Sequence, residues 1–349
     1  MLNRKFPKKV ILVGCGSIGK RYLLEILDLS LECIVVDPKN DLMLEYDLSS
    51  RIGFTHVKSL KDTPKDFIAK DTTVIIANWG PNHFDTFVYF MKLGIQRFII
   101  EKPIVSKLKD LNELERLVLK NKLVVVVNQG WSAVYLSDRI LKLADQFSLG
   151  VLQALNVSGG ARCMSTTGSH YIHLASTLLK SDFYRLASTL NSKNINPRAS
   201  HLSFFDGNLA IEYCNQKYFT MQFSNNSSIQ GSLLLYWAEA VGELIDQNLT
   251  IKMLNPNRDF RGIVTRYAQP EHILSDGVVS YFELDAASEF KNLLSNSTLK
   301  YSETILDFQN HIQSNRILLY GLISNKLNKN LFYNSSIPIK YKLMDFKIS

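Results

Sequence analysis

Three glycines at the spacing G-x-G-x-x-G, Gly14, Gly16 and Gly19, carry the clearest chemistry in this 349-residue chain. A turn of that kind suits a pyrophosphate. Gly14 permits a tight exit from a strand, Gly16 lets backbone approach the phosphates, and Gly19 lets the next helix pack closely on the sheet. That helix points unpaired N–H groups and a partial positive charge at the turn, so Ser17 and Ile18 join the cofactor-binding set. Asp37, about 20 residues further on, can accept hydrogen bonds from both ribose hydroxyls of a dinucleotide. Its charge repels a 2′-phosphate, which favours NAD over NADP, although Lys39 just beyond it leaves NADP open. The plain alternative is a glycine turn that only joins strand to helix. Strand, turn, helix, strand and acid falling in order favour the dinucleotide.

Positioning such a ligand takes a sheet. Val10–Val13 and Cys33–Val36 are unbroken apolar runs rich in β-branched residues, as strands buried on both faces require. Between them Ile18, Tyr22, Ile26 and Leu29 recur at a helical period. Further strands are expected at 55–58, 72–78, 97–100 and 123–127, with helices at 42–48, 84–93 and 108–119 between them. Alternation of this kind predicts an α/β fold with a doubly wound parallel sheet. Ligands of such sheets bind beyond the C-terminal ends of the strands. The glycine turn, Asp37, Asn78, Glu101, Lys102 and Asn128 all fall at those ends and are expected to meet in one crevice.

Three motifs in fixed order make the first 130 or so residues resemble the Gfo/Idh/MocA oxidoreductases: Gly-Cys-Gly-Ser-Ile-Gly-Lys-Arg at 14–21, Pro81-Asn82-His83, and Glu101-Lys102-Pro103. The resemblance implies that Lys102 is the catalytic lysine, held near the nicotinamide and the substrate hydroxyl. Pro81, Asn82 and His83 are expected to contact the cofactor and start the next helix rather than perform chemistry, with Trp79 in the cofactor-binding set; His83 could equally be a helix-start residue with no ligand. Physical reasoning is compatible with the role of Lys102. An ammonium at the mouth of an apolar strand, facing a closed crevice, loses solvation and becomes easier to deprotonate. It could then hydrogen-bond the reacting oxygen and exchange its proton as hydride moves. Alone, Lys102 would read as a surface lysine paired with Glu101.

The second half changes character. A helix is expected at 131–147, a strand at 151–158, and a helix from about 166 to 179. Runs of β character then follow from 184 to 237, with Asp206-Gly207 and Asn225-Asn226 as hairpin signals. Strands at 249–254 and 263–267 and helices at 281–294 and 304–327 complete the reading. By resemblance this is an α+β domain with an open, largely antiparallel sheet, whose exposed face is the usual oligomer interface. The expected division is a dinucleotide-binding domain at 1–128 and a substrate-binding and oligomerisation domain at 129–349, assembled as a homodimer or homotetramer.

The family's second active-site motif is an acid followed by histidine at a helix start. Here Gly168-Ser169-His170 keeps the histidine, but the acid positions fall on Thr166 and His173. His170 can still titrate near neutrality, with no carboxylate in this segment to orient it. Three roles stay open: His170 as proton shuttle with Lys102, His170 and His173 as binders of a substrate hydroxyl or phosphate, or a site with weak or lost catalysis. A metal pair has too thin a ligand set, so no metal is expected. Arg162 is a candidate for an anionic substrate group, or a surface arginine. The substrate set is therefore Lys102, Arg162, Thr166, His170 and His173.

Composition narrows the classes. Nearly half the residues are hydrophobic and 21% are charged, so the chain is expected to be globular and soluble. The net charge of +8 lies in scattered lysines without an aromatic-interleaved stripe, which argues against nucleic acid as a partner. Four cysteines without C-x-x-C pairing suit a reducing compartment, and no run reaches membrane-span length, so a cytoplasmic site is expected. The reading that follows is an NAD(P)-dependent oxidoreductase acting on a secondary hydroxyl or keto group of a sugar, nucleotide sugar or cyclic polyol. Its alternatives are an NAD-binding regulatory protein of the same fold and an NAD-retaining glycosidase.

Overall fold

The computed structural model describes residues 5–39, 54–129, 134–196, 202–229, 231–245, 248–253, 272–276 and 286–348. The helix expected at 42–48 and the strand expected at 263–267 lie outside them. The chain divides into two compact units. Unit 1 comprises Met1–Gly130, Leu284–Arg316 and Pro338–Ser349; unit 2 comprises Trp131–Glu283 and Ile317–Ile337.

Unit 1 is a six-stranded parallel sheet in the order β3-β2-β1-β4-β5-β6. Its strands are β1 (Lys9–Val13), β2 (Glu32–Val36), β3 (Phe54–Val57), β4 (Thr73–Ile76), β5 (Arg97–Glu101) and β6 (Val124–Asn128). The order reverses between β1 and β4, the switch point where such sheets open a crevice. Residues 10–13, 74–76 and 98–100 are almost wholly buried, which is why they read as continuous apolar runs. Helices α1 (Ser17–Asp28), α2 (His83–Lys92) and α3 (Leu108–Asn121) pack on it through one face each; α3 buries Leu108, Leu111, Leu114 and Val118. A segment remote in sequence completes the core. Phe290, Leu293 and Leu294 of α6 (Ala286–Asn296) cluster with Tyr22, Leu23 and Ile26 of α1.

Unit 2 holds α4 (Val134–Gln146), α5 (Thr167–Leu179) and a mixed, mostly antiparallel sheet. The strands are β7 (Leu152–Gly159), β8 (Phe183–Ile195), β9 (Ser203–Tyr213), β10 (Lys217–Phe223), β11 (Ser232–Trp237), β12 (Ala240–Ile245), β13 (Asn248–Met253), β14 (His272–Asp276) and β15 (Leu331–Phe332). Their order is β14-β13-β12-β11-β7-β10-β9-β8-β15, and among the described strands only the β7–β10 pair is parallel. The long helix α7 (Tyr301–Leu327) has residues 301–316 in unit 1 and 317–327 in unit 2.

Two turn expectations need correction. Asp206-Gly207 is not a hairpin turn, because β9 runs through it, with Gly207 opposite Leu190 of β8 and Phe223 of β10. Glycine is required there by a φ of +121° and by the carbonyl of Thr189, into which a Cβ would run. The β9–β10 turn lies at Cys214–Gln216, with Asn215 and Gln216 both at positive φ. Asn225-Asn226 is a turn, but β10 and β11 do not pair; β7 lies between them.

Candidate functional site

The glycine turn forms as its spacing requires. Gly14 sits at φ +89° with its N–H donating to the Val36 carbonyl at 2.9 Å, and a Cβ there would collide with the Asn78 backbone. A Cβ on Gly19 would run into the Gly14 carbonyl oxygen, so this residue is glycine because helix and turn touch. Gly16 differs. Its φ is an ordinary −75°, and a Cβ would meet nothing within 4 Å among the described residues. The fold does not ask for glycine there, whereas close approach of a ligand does. Gly16 is also the N-cap of α1, with no side-chain cap bond and no acid in the first turn, so the helix end keeps its positive field.

Asp37 follows β2 and is nearly buried. Its Oδ2 accepts from the Cys15 N–H at 2.7 Å and its Oδ1 from the Lys39 N–H at 2.9 Å. Beside these groups opens a cavity of about 740 Å³ lined in part by Gly14, Gly16, Asp37, Lys39, Asn78, Trp79 and Asn82. Such a volume matches a cofactor-sized pocket. Asn78 donates from Nδ2 to Thr86 Oγ1 at 2.9 Å, while its buried Oδ1 has no partner among the described residues. Lys58, Ser59, Asp85, Thr86 and Tyr89 also line the cavity and went unnoticed in the sequence. The signal for three of them was the spacing 82, 85/86, 89, which puts them on one face of α2.

The remaining strand-end residues form a second cluster. Glu101 Oε1 accepts from Tyr22 Oη–H at 3.0 Å and from Asn128 Nδ2 at 2.6 Å, and all three side chains are buried. Burial pushes the Glu101 carboxyl up to about 7, against the Asn128 hydrogen bond and the Lys102 charge, which lower it. Burial also raises the Tyr22 phenol well above its usual range, with the Glu101 charge adding to the effect. Lys102 is half-buried and precedes a cis peptide to Pro103. His83 is buried, which lowers its tendency to protonate. Its Nδ1 lies 3.0 Å from the Pro103 carbonyl oxygen and its Nε2 2.9 Å from that of Asn78, so the ring bridges the loops after β4 and β5. Ser17, Ile18 and Gly19 open α1, and Ile18 is exposed.

In unit 2 Thr166, His170 and His173 are all buried at and within the start of α5, the two histidines one turn apart. Arg162 donates from Nη1 to Tyr171 Oη at 3.1 Å. No group of three or more His, Cys, Asp or Glu among the described residues could hold a metal ion, and no described helix is long and apolar enough to cross a membrane.

Residues 8–129 match the family model described as "Oxidoreductase family, NAD-binding Rossmann fold". No curated protein matches the chain by sequence. Solved structures share its fold over nearly the whole length. A myo-inositol 2-dehydrogenase from Lactobacillus plantarum is 13% identical, with 93% of this chain and 99% of that one covered and a TM-score of 0.65. A levoglucosan dehydrogenase, in complex with NADH and levoglucosan, is 13% identical over 94% and 99%, with a TM-score of 0.64. The transcriptional regulator Gal80p from Kluyveromyces lactis is 14% identical over 93% and 91%, with a TM-score of 0.68. Identities this low carry the fold alone.

Proposed function

We propose, from the match of residues 8–129 to the Gfo/Idh/MocA oxidoreductase family model, that the protein is an NAD-dependent dehydrogenase of a sugar, nucleotide sugar or cyclic polyol. It interconverts a secondary hydroxyl and a ketone. Bound NAD supplies the hydride acceptor, or NADH the donor. The observation that carries this reading is Gly16, a glycine that neither backbone conformation nor neighbouring atoms require, at the mouth of a helix N-terminus. The backbone of residues 14–19 holds the pyrophosphate and Asp37 the adenosine ribose. Asn78 offers Oδ1 as an unused acceptor, with Trp79 and Asn82 beside it in the cavity wall. Asp37 sets NAD above NADP by repelling a 2′-phosphate.

Lys102 hydrogen-bonds the reacting oxygen and takes or returns its proton. His170 assists, and Thr166, His173 and Arg162 bind the substrate's hydroxyl or anionic groups. The chain acts in the cytoplasm as a homodimer or homotetramer joined through the exposed face of the unit 2 sheet. A second reading, an NAD-binding regulator without turnover, is favoured by one observation. Thr166, where the family's motif has an acid, is buried and presents no carboxylate to His170.

One experiment separates the two. Purified protein is incubated with NAD and a panel of sugars, nucleotide sugars and inositols while reduced cofactor is followed by absorbance. Reduction with at least one compound supports the dehydrogenase. Tight NAD binding by calorimetry with no reduction across the panel supports the regulator, and no binding at all overturns both.

A further inference from the structure

The buried cluster that joins Tyr22 of α1 to Glu101 and Asn128 at the strand ends has no part in the scheme above, yet it is built with care. Burying a carboxyl is unfavourable unless donors meet its charged form. Here two donors converge on one oxygen, Tyr22 at 3.0 Å and Asn128 at 2.6 Å. Each is fixed from elsewhere. Asn128 stands directly opposite Glu101 in the β5–β6 register. The Tyr22 ring is fully buried and meets Phe290 of α6 edge-on, with centroids 4.3 Å apart. The donors are thus in place before the carboxyl ionises, and they favour the anion while burial favours the acid.

Among the described residues, two charges act on this carboxyl, those of Lys102 and Glu289. Lys102 follows it on the chain and favours the anion; Glu289 of α6 opposes it and is itself beside Arg21 of α1. A carboxyl balanced in this way does not simply brace a strand. Its negative charge, when present, steadies the ammonium of its neighbour; when it takes a proton, that support is withdrawn.

We propose that Glu101 is a positioning residue that governs the protonation of Lys102, with Tyr22 and Asn128 setting how readily Glu101 gives up its own proton. The proposal rests on the reading of Lys102 as the group at the reacting oxygen for its catalytic meaning. The coupling itself is a property of unit 1 and does not need turnover to be seen. It assigns α1 and α6 a role in the chemistry: through Tyr22 and Phe290 they tune a lysine that neither helix carries.

The test reads the proton of Lys102 directly. The full chain is labelled with acetic anhydride across a pH series, and modification of the Lys102 peptide is followed by mass spectrometry. Glu101→Gln keeps the shape and the acceptor oxygen but removes the charge. Its Lys102 labelling midpoint is expected about one to two pH units below that of the wild type, the scale of a lost opposite charge. Tyr22→Phe removes one donor to the anion and is expected to move the midpoint the same way by less. Unmoved midpoints in both variants, with native circular dichroism, overturn the proposal. Should both variants unfold, Lys102→Met provides the reciprocal measurement at a half-buried site. The infrared band of the protonated carboxyl is expected to persist to higher pH than in the wild type, and identical bands overturn the coupling. If Lys102→Met instead keeps full turnover on a compound found in the panel, the catalytic reading of Lys102 falls while the coupling stands.

Discussion

The backbone N–H of Cys15, inside the glycine turn, donates to Oδ2 of Asp37 at 2.7 Å across 22 positions of sequence. The end of β2 and the glycine turn are therefore one hydrogen-bonded piece. Lys39 N–H holds the other carboxylate oxygen at 2.9 Å, so backbone groups orient both oxygens of the acid. Preorganisation of this kind removes an ordering penalty from binding.

Asp37→Ser tests that arrangement. The variant loses the charge that repels a 2′-phosphate and leaves the Cys15 N–H with a weaker acceptor. The ratio of NADPH to NADH affinity is expected to rise by about tenfold or more, equivalent to about 1.4 kcal/mol. Fluorescence titration of the two reduced cofactors measures it. A ratio that stays put removes Asp37 from cofactor choice.

How much of this was legible in the sequence depended on where the partners lay. The strands of unit 1 announced themselves because burial on both faces makes continuous apolar runs, as at Val10–Val13 and Val74–Ile76. The strand-end residues followed from topology alone. In unit 2 the residue pattern does not delimit the long strand β8, and Gly207 reads as a turn because a glycine that relieves a crowded strand looks the same in one dimension as one that bends a hairpin. The bond from Tyr22 to Glu101 spans 79 positions, and nothing in a helical apolar stripe marks one of its members as a donor. Likewise, α6 belongs to unit 1 although it follows most of unit 2 in the chain, an arrangement only tertiary packing reveals.

Two glycines of one turn separate folding from binding. Gly19→Ala places a methyl group against the Gly14 carbonyl and is expected to lower stability by about 1–3 kcal/mol. Gly16→Ala has open space and an ordinary φ, so its stability is expected within about 0.5 kcal/mol of wild type. Its NAD affinity should nevertheless fall about tenfold or more, since the methyl group occupies the ligand's approach. Urea denaturation and calorimetry on the pair check both halves. Unchanged affinity in folded Gly16→Ala contradicts the phosphate assignment.

Lys102→Ala is expected to retain NADH binding within a few-fold and to lose about 100-fold to 10,000-fold in turnover, the range a positioned acid–base group supplies. Stopped-flow measurement of cofactor reduction, on whichever compound the panel yields, reads the loss. Turnover at the wild-type rate would remove Lys102 from the reaction.

Glu101 also ties stability to pH. Its carboxyl is raised from 4.5 to about 7 in the folded protein. Between those values the folded chain keeps a proton that the unfolded chain releases. The stabilisation from this group is therefore fully present below about pH 4.5 and is lost as pH rises through about 7. Its upper bound is about 3–4 kcal/mol, because each tenfold change in proton affinity is worth about 1.4 kcal/mol. Glu101→Gln cannot titrate and lacks this loss. The stability of the variant minus that of the wild type is accordingly expected to grow across the window and to level off above it. Urea denaturation of both proteins at about pH 5 and at about pH 8 measures the difference. Parallel pH curves for the two would show that the buried carboxyl titrates no differently when the protein unfolds.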